Sequence, residues 1–238
     1  MRTGAVIQAR MSSTRLPGKV LKPLPYGGDA TVLERIIVRL RRARSLDAIV
    51  VATSTSAEDD LVEAATASAG VPCYRGPLDD VVRRYLGAAE AHGLDRIVRI
   101  TADCPCADPS IVDAVVDFHE SAGADFTSNV LPRSFPKGLD VEVADIAVLR
   151  AIDAEAVDRA DREHVFTYAY LTRPERFRIA NLTAPRALTD PDLRVTIDTT
   201  ADYAMVSALF DLLGSAFDTA SLLSAVAEHP WLRLVNPG

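Results

Sequence analysis

Ala5-Val6-Ile7-Gln8-Ala9-Arg10-Met11-Ser12-Ser13-Thr14-Arg15-Leu16-Pro17-Gly18-Lys19 is the stretch on which the fold is read. Ala5, Val6 and Ile7 form an apolar run that reads as a buried first strand. The loop after it carries the cations Arg10, Arg15 and Lys19, the hydroxyls Ser12, Ser13 and Thr14, and a Pro17-Gly18 turn. Open α/β sheets bind ligands just beyond the carboxyl ends of their strands. A loop there that is rich in guanidinium, ammonium and backbone N–H groups suits a polyanion such as a triphosphate. The competing reading is a solvated basic loop. Two commoner phosphate loops are excluded. A Walker A loop needs Gly five residues before its Gly-Lys pair and Ser or Thr after it, but Ser13 and Val20 stand at those positions. A dinucleotide fingerprint needs three spaced glycines, and only Gly4 and Gly18 are near. Phosphates would therefore be held mainly by side-chain cations, helped by a few amides from the Gln8–Lys19 stretch.

Outward from this loop, the first half of the chain alternates short apolar runs with helical patterns, the rhythm of βαβ units in an α/β fold. Strands are expected at 48–53, 71–74, 96–101 and 125–129, and helices at 31–44, 56–69, 78–92 and 109–122. Thr31 and Glu34 predict a capping box, with Leu33, Ile36, Ile37 and Leu40 as the apolar stripe. Arg39, Arg41, Arg42 and Arg44 read as a solvated helix end favoured by the macrodipole. Asp108 with Pro109 marks a helix start, and Gly70, Gly93 and Gly123 mark helix ends. Beyond residue 130 the rhythm changes. Strands are expected at 139–143, 177–183 and 193–197, with helices at 145–154, 161–171, 200–213 and 219–227. Residues 130–191 read as an inserted section within one domain spanning 1–238, covering the site or making a dimer contact.

The composition excludes several classes. The net charge is −7, which argues against a nucleic-acid binder because counterion release needs an excess of clustered cations. No apolar run approaches the roughly 18 residues of a membrane span, and Arg10 interrupts any secretory apolar region, so the expected compartment is cytoplasmic. The three cysteines give no disulfide framework. Cys104-Pro105-Cys106 lacks the spacing of about two to four residues and the further ligands of a zinc site.

Other constellations carry chemistry. Asp103 and Asp198 each follow an expected strand, in Arg99-Ile100-Thr101-Ala102-Asp103-Cys104-Pro105 and Arg194-Val195-Thr196-Ile197-Asp198. Each reads either as a local cap or as a carboxylate on a magnesium ion, which takes one or two carboxylates plus phosphate oxygens and water. Alternation puts Asp140 and Glu142 on one strand face beside Lys137, where they either bind sugar or ribose hydroxyls or face solvent. His164, in Asp161-Arg162-Glu163-His164, is the one histidine in a charged cluster, whereas His92 and His119 lie near helix C-termini. Arg75 sits on a strand-to-helix loop, where it contacts nucleotide or acceptor or is merely exposed. Arg75, Arg133, Lys137 and Arg162 are the cations available to clamp an anionic acceptor.

Taken together, these residues resemble the cytidylyltransferases that make CMP-sugars, the group of CMP-KDO and CMP-acylneuraminate synthetases. They are most similar to the branch named for spore-coat polysaccharide biosynthesis. The carrying segments are 7–19, Val51-Ala52-Thr53, Tyr74-Arg75-Gly76 with Asp79-Asp80 and Arg84-Tyr85, 99–105, 138–143, 162–165 and 194–199. They stand in family order over nearly the whole chain. The resemblance implies a Rossmann-like nucleotidyltransferase fold: a mainly parallel mixed sheet flanked by helices, with a small inserted dimerisation or acceptor subdomain. It implies a homodimer using CTP and Mg2+ and releasing pyrophosphate. Arg10, Arg15 and Lys19 would contact the triphosphate, and Asp103 and Asp198 would hold the metal. Gln8, Ala9, Ser12, Ser13, Thr53, Arg75 and Gly76 complete the implied nucleotide site. Arg133, Lys137, Asp140, Glu142, Arg162 and His164 are, from the residues themselves, the expected acceptor-binding set. Ala102 stands where glycine is usual, and Cys106 where an aliphatic residue is usual. The rivals are a sugar-nucleotide-dependent glycosyltransferase, whose usual Asp-x-Asp spacing Asp103-Cys104-Pro105 lacks, and a nucleotide-binding protein without activity.

Overall fold

The computed structural model describes residues 1–235. The strands are β1 (Thr3–Gln8), β2 (Ala48–Ser54), β3 (Cys73–Gly76), β4 (Arg96–Thr101), β5 (Phe126–Ser128), β6 (Glu142–Asp145) and β7 (Ile179–Asn181). They form one sheet in the order β3-β2-β1-β4-β6-β5-β7. β6 runs antiparallel to β4 and β5, and the other pairs are parallel. The helices are α1 (Val32–Leu40), α2 (Asp60–Ser68), α3 (Val81–Ala91), α4 (Pro109–Ala122), α5 (Ile146–Glu155), α6 (Arg159–His164), α7 (Thr200–Leu213), α8 (Thr219–Glu228) and α9 (Trp231–Val235). The expected mixed, mainly parallel sheet flanked by helices is the one observed. Residues 130–191 contribute β6 and β7 to that same sheet. No described helix is long and apolar enough to cross a membrane.

Side chains alternate across the sheet and split the core in two. Ala5, Ile7, Val51 and Val98 face α1, α4, α7 and α8, while Val6, Val50 and Ile97 face α3, α5 and residues 165–169. Strand order reverses between β1 and β4, the switch point where open α/β sheets bind ligands. Gln8 pairs with Thr101 in register there, so the loops leaving both strands emerge side by side.

Local signals held where their partners are local. The Thr31–Glu34 capping box forms, Asp108 accepts from Ser110 N at 2.9 Å, and Gly70, Gly93 and Gly123 take left-handed backbone. Long-range partners caused the differences. The helix expected at 31–44 stops at Leu40, because Asp113 of α4 accepts the amides of Arg44 and Ser45 at 3.3 and 2.9 Å. Arg39 is not solvated but 1% exposed. Its guanidinium donates to the carbonyls of Cys106, Ala107, Ser215 and Phe217 and lies 4.2 Å from the centre of the Phe217 ring. His119 is likewise buried, with Nδ1 2.9 Å from Thr127 Oγ1.

The strand expected at 139–143 begins only at Glu142. The Asn129 side chain takes the preceding pairing, donating to Leu139 O at 2.8 Å and accepting from Val141 N at 2.9 Å. The helix expected at 161–171 breaks at Val165, whose φ of 63° and ψ of −64° close a tight turn with Phe166 N on His164 O at 2.7 Å. Positive φ is strained for a β-branched residue. The buried Val165 and Phe166 side chains hold the turn in place. Residues 193–197 are extended and mostly buried but form no ladder. Val195 N donates to Lys137 O and Ile197 N to Asp103 O, both at 2.7 Å, so the segment's partners lie in two different loops. Gly138 makes this approach possible: at φ +109° a Cβ would stand 2.7 Å from Thr196 N.

Candidate active site

The loop after β1 is shaped by its backbone. Asp59 is fully buried and accepts from Met11 N at 2.7 Å and from Ser54 N at 3.2 Å, tying the loop entrance to β2. Gly18 at φ +67° donates to Met11 O at 3.0 Å, which folds the loop back and turns Lys19 inward. The result is a cleft of about 520 Å³ at the switch point. From the loop it is lined by Gln8, Arg10, Ser12, Ser13, Thr14, Arg15, Lys19 and Val20. From β4 and the loop after it, it is lined by Arg99, Thr101, Ala102 and Asp103, and Glu163, His164 and Asp198 complete the lining.

Lys19 is the electrostatic centre of the cleft. Its ammonium donates to Asp103 Oδ2 at 2.9 Å, Asp198 Oδ1 at 2.9 Å and Ile197 O at 2.7 Å. Burial works against the charge, but Asp103 and Asp198 outweigh it and hold the lysine pKa above its ordinary value. Arg15 reaches the same Asp198 oxygen at 3.1 Å, and Arg194 takes the other at 2.6 Å. Arg10 lines the cleft without a hydrogen-bond or ion-pair partner among the described residues.

Asp198 is set in place by α7. Thr199 and Asp202 form a capping box, and Asp202 also accepts from Asp198 N at 2.8 Å and Arg194 Nε at 2.8 Å. Burial opposes ionisation of Asp202, but Arg194 and the amides of Asp198 and Thr199 outweigh it and bring its pKa down to about 2. A carboxylate whose folded pKa is depressed stabilises above its unfolded pKa, and that contribution is lost as pH falls through the folded value. Stability should therefore decline between about pH 4 and about pH 2. Asp202→Asn should flatten that decline in acid-denaturation curves; an unchanged acid limb would remove Asp202 from it.

A smaller cavity of about 200 Å³ adjoins the cleft through the shared Arg99 and Thr101, and Val130, Asp140, Glu142 and Tyr170 complete its lining. Both carboxylates here are paired. Asp140 accepts both guanidinium nitrogens of Arg133, at 2.6 and 2.8 Å, and Glu142 accepts from Arg99 Nη1. Burial disfavours the Arg99 charge, but Glu142 outweighs it and raises its pKa. Burial pushes the neighbouring Tyr85 phenol up to about 12.

The structure thus gathers Gln8, Arg10, Ser12, Ser13, Arg15, Lys19, Asp103, His164 and Asp198 around one cleft. It places the other expected site residues elsewhere. Ala9 is buried in the core, and Thr53 is buried in β2. Arg75 and Gly76 lie outside the cleft lining. The Arg75 guanidinium is tied to Glu63 at 3.0 Å and to the carbonyls of Ser54 and Ser56. Arg162 clamps α6 to its neighbours through Asp80 and the carbonyl of Ala156, at 2.8 and 3.0 Å. Lys137 is exposed and joins the fold through its backbone. Residues outside the expected site set also line the cleft: Thr14, Val20, Arg99, Thr101 and Glu163.

Known proteins are similar to this chain in sequence and fold. The family described as cytidylyltransferase matches residues 5–222. The spore coat polysaccharide biosynthesis protein SpsF of Bacillus subtilis is 34% identical over 94% of each chain. A cytidylyltransferase structure from Leptospira borgpetersenii superimposes with a TM-score of 0.90 at 33% identity, covering 98% of this chain and 96% of that one. A CMP:2-keto-3-deoxy-manno-octonic acid synthetase complexed with CTP shares the fold, with a TM-score of 0.66 at 15% identity over 89% of this chain and 99% of that one.

Proposed function

The chain belongs to the cytidylyltransferase family, and from that premise we propose that it transfers CMP from CTP to a sugar or sugar-acid acceptor, with release of pyrophosphate and dependence on Mg2+. The observation that carries this reading is the convergence of Lys19, Arg15, Arg10, Asp103 and Asp198 on one cleft at the β1/β4 switch point. The residues fit a magnesium ion. Two hard carboxylate oxygens converge on a single point, and a cation, the Lys19 ammonium, lies 2.9 Å from each. Asp103 and Asp198 would hold the ion, consistent with its preference for one or two carboxylates and phosphate oxygens. When bound, it supplies neutralisation of charge on the phosphate oxygens.

The remaining work is positioning and electrostatics. An acceptor oxygen forms a bond to the α-phosphorus as the bond to the pyrophosphate oxygen breaks. Arg10 and Arg15 line the side of the cleft suited to the pyrophosphate portion, where their fixed charges offset what develops on the leaving group. Ser12, Ser13 and Thr14 add hydroxyl donors. Gln8 Oε1 is buried without a hydrogen-bond partner among the described residues, and suits a donor on the nucleotide. The cavity of Asp140, Glu142 and Tyr170, joined to the cleft by Arg99 and Thr101, suits the acceptor, and His164 lines the cleft. As in the SpsF relative's name, polysaccharide biosynthesis is the setting proposed; the homodimer implied by the resemblance is part of the same reading. The test is a screen of the four nucleoside triphosphates against neutral sugars and sugar acids, read by pyrophosphate release. CTP should be preferred with at least one acceptor. Tight CTP binding with no turnover on any acceptor would instead favour a regulatory protein.

A further inference from the structure

We propose that Lys19 is a placeholder cation: in the nucleotide-free protein it closes the Asp103–Asp198 pair, and it passes to the triphosphate only as a divalent cation takes the carboxylates. Metal and nucleotide would then bind well together and poorly apart. The inference rests on the CTP and magnesium reading above.

The geometry argues it by counting donors. A lysine ammonium has three N–H donors and no acceptor. All three are committed, to Asp103 Oδ2, Asp198 Oδ1 and Ile197 O, at 2.7–2.9 Å. With its side chain 11% exposed, Lys19 offers no free proton to a phosphate while this arrangement persists. Charge gives the same answer. Lys19 and Arg15 balance Asp103 and Asp198, and Arg194 is shared with Asp202. A divalent cation arriving alone meets an ammonium where it must sit. A triphosphate arriving alone can draw Lys19 away only by leaving Asp103 without its ion-pair partner and Asp198 to Arg15 and Arg194, which turns an unpaired carboxylate toward its own negative charge in a partly buried site that screens weakly. When both arrive, each charge finds an opposite partner: carboxylates with metal, phosphates with Lys19 and Arg15. Lys19 has the long unbranched stem such an exchange needs, and Gly18 at its base stands in a left-handed turn.

Coupling of this kind is reciprocal: the factor by which nucleotide tightens metal equals the factor by which metal tightens nucleotide. The experiment measures Mn2+ binding by electron paramagnetic resonance and calorimetry, in wild type with and without CTP and in Lys19→Met without CTP. Anomalous scattering locates the ion. Wild type should bind Mn2+ at least about tenfold more weakly without CTP than with it, the scale of ordinary site coupling. Lys19→Met, without CTP, should bind Mn2+ at least about tenfold more tightly than wild type does, with the ion between Asp103 and Asp198. Arg15→Met, which removes an equal charge that only flanks Asp198, should gain much less. Mn2+ seated between the two carboxylates of nucleotide-free wild type, or no gain in Lys19→Met, overturns the proposal. If Lys19→Met does not fold, the wild-type comparison still decides. If CTP fails to bind at all, it is the nucleotide reading that fails, while Mn2+ binding to the free protein still reports on Lys19.

Discussion

Asp103→Asn is expected to lower kcat/KM for pyrophosphate release from CTP by about 10³-fold or more, the scale of several kcal/mol of lost transition-state neutralisation. The substitution changes charge and little else. Asn retains an oxygen able to accept from Thr101 Oγ1, which lies 2.6 Å from Asp103 Oδ1. The Asp103 carbonyl still accepts from Ile197 N at 2.7 Å and Thr196 Oγ1 at 3.1 Å, so the segment carrying Asp198 stays anchored. Lys19 keeps Asp198 and Ile197 O as acceptors. The melting temperature should therefore stay within a few degrees of wild type while turnover collapses. Near-full Mg2+-dependent turnover in the variant would remove Asp103 from the metal site. Equal loss of fold and activity would show that its role is structural.

The largest stability loss should come from Arg39→Ala, far from the chemistry. Four carbonyls from two separate segments, around Cys106 and around Ser215, converge on this one buried guanidinium. Buried acceptors left without donors cost about 1–3 kcal/mol each when water cannot reach them. The Phe217 ring also loses its cation, and a cavity forms where the side chain packed. Partial relaxation brings the sum to about 4 kcal/mol. For a chain of this size that is a fall of roughly 10 °C or more in melting temperature. Arg39→Lys should recover little, because a point charge cannot span four acceptors as a planar fork does. A drop of only a degree or two in Arg39→Ala would mean that the carbonyls find water, and that the arginine does not hold the segments together.

Arg39 also shows why part of this protein could not be read from its sequence. Its position in the last turn of α1, among other arginines, has an ordinary local explanation as a solvated helix end. Only the packing of the segments around Cys106 and Ser215 over that turn makes it a core residue. Arg162 differs in the same way. Its place in a charged run suggested an acceptor clamp, but Asp80 caps α3 and Asp153 lies on α5, and the fold brings both to it. Glu142 and Asp140 were legible as a pair on one face. Their pairing with Arg99 and Arg133 was not.

By itself the sequence determined what depends on neighbours within about one helical turn or one strand's alternation. It determined the buried first strand, the basic loop after it, the Thr31–Glu34 box, the Asp108 cap and the glycine stops. It also determined the ordered set of segments that marks the family. These are short-range matters, because apolar periodicity and capping act over three or four residues. The tertiary structure alone decided which charges meet. Lys19 finds Asp103 across 84 residues and Asp198 across 179, because strand order reverses between β1 and β4 and sets their loops side by side. No local pattern encodes that meeting. It arises from the packing of two helical layers on one sheet, and it turns a basic loop and two aspartates into a single charge-balanced cleft.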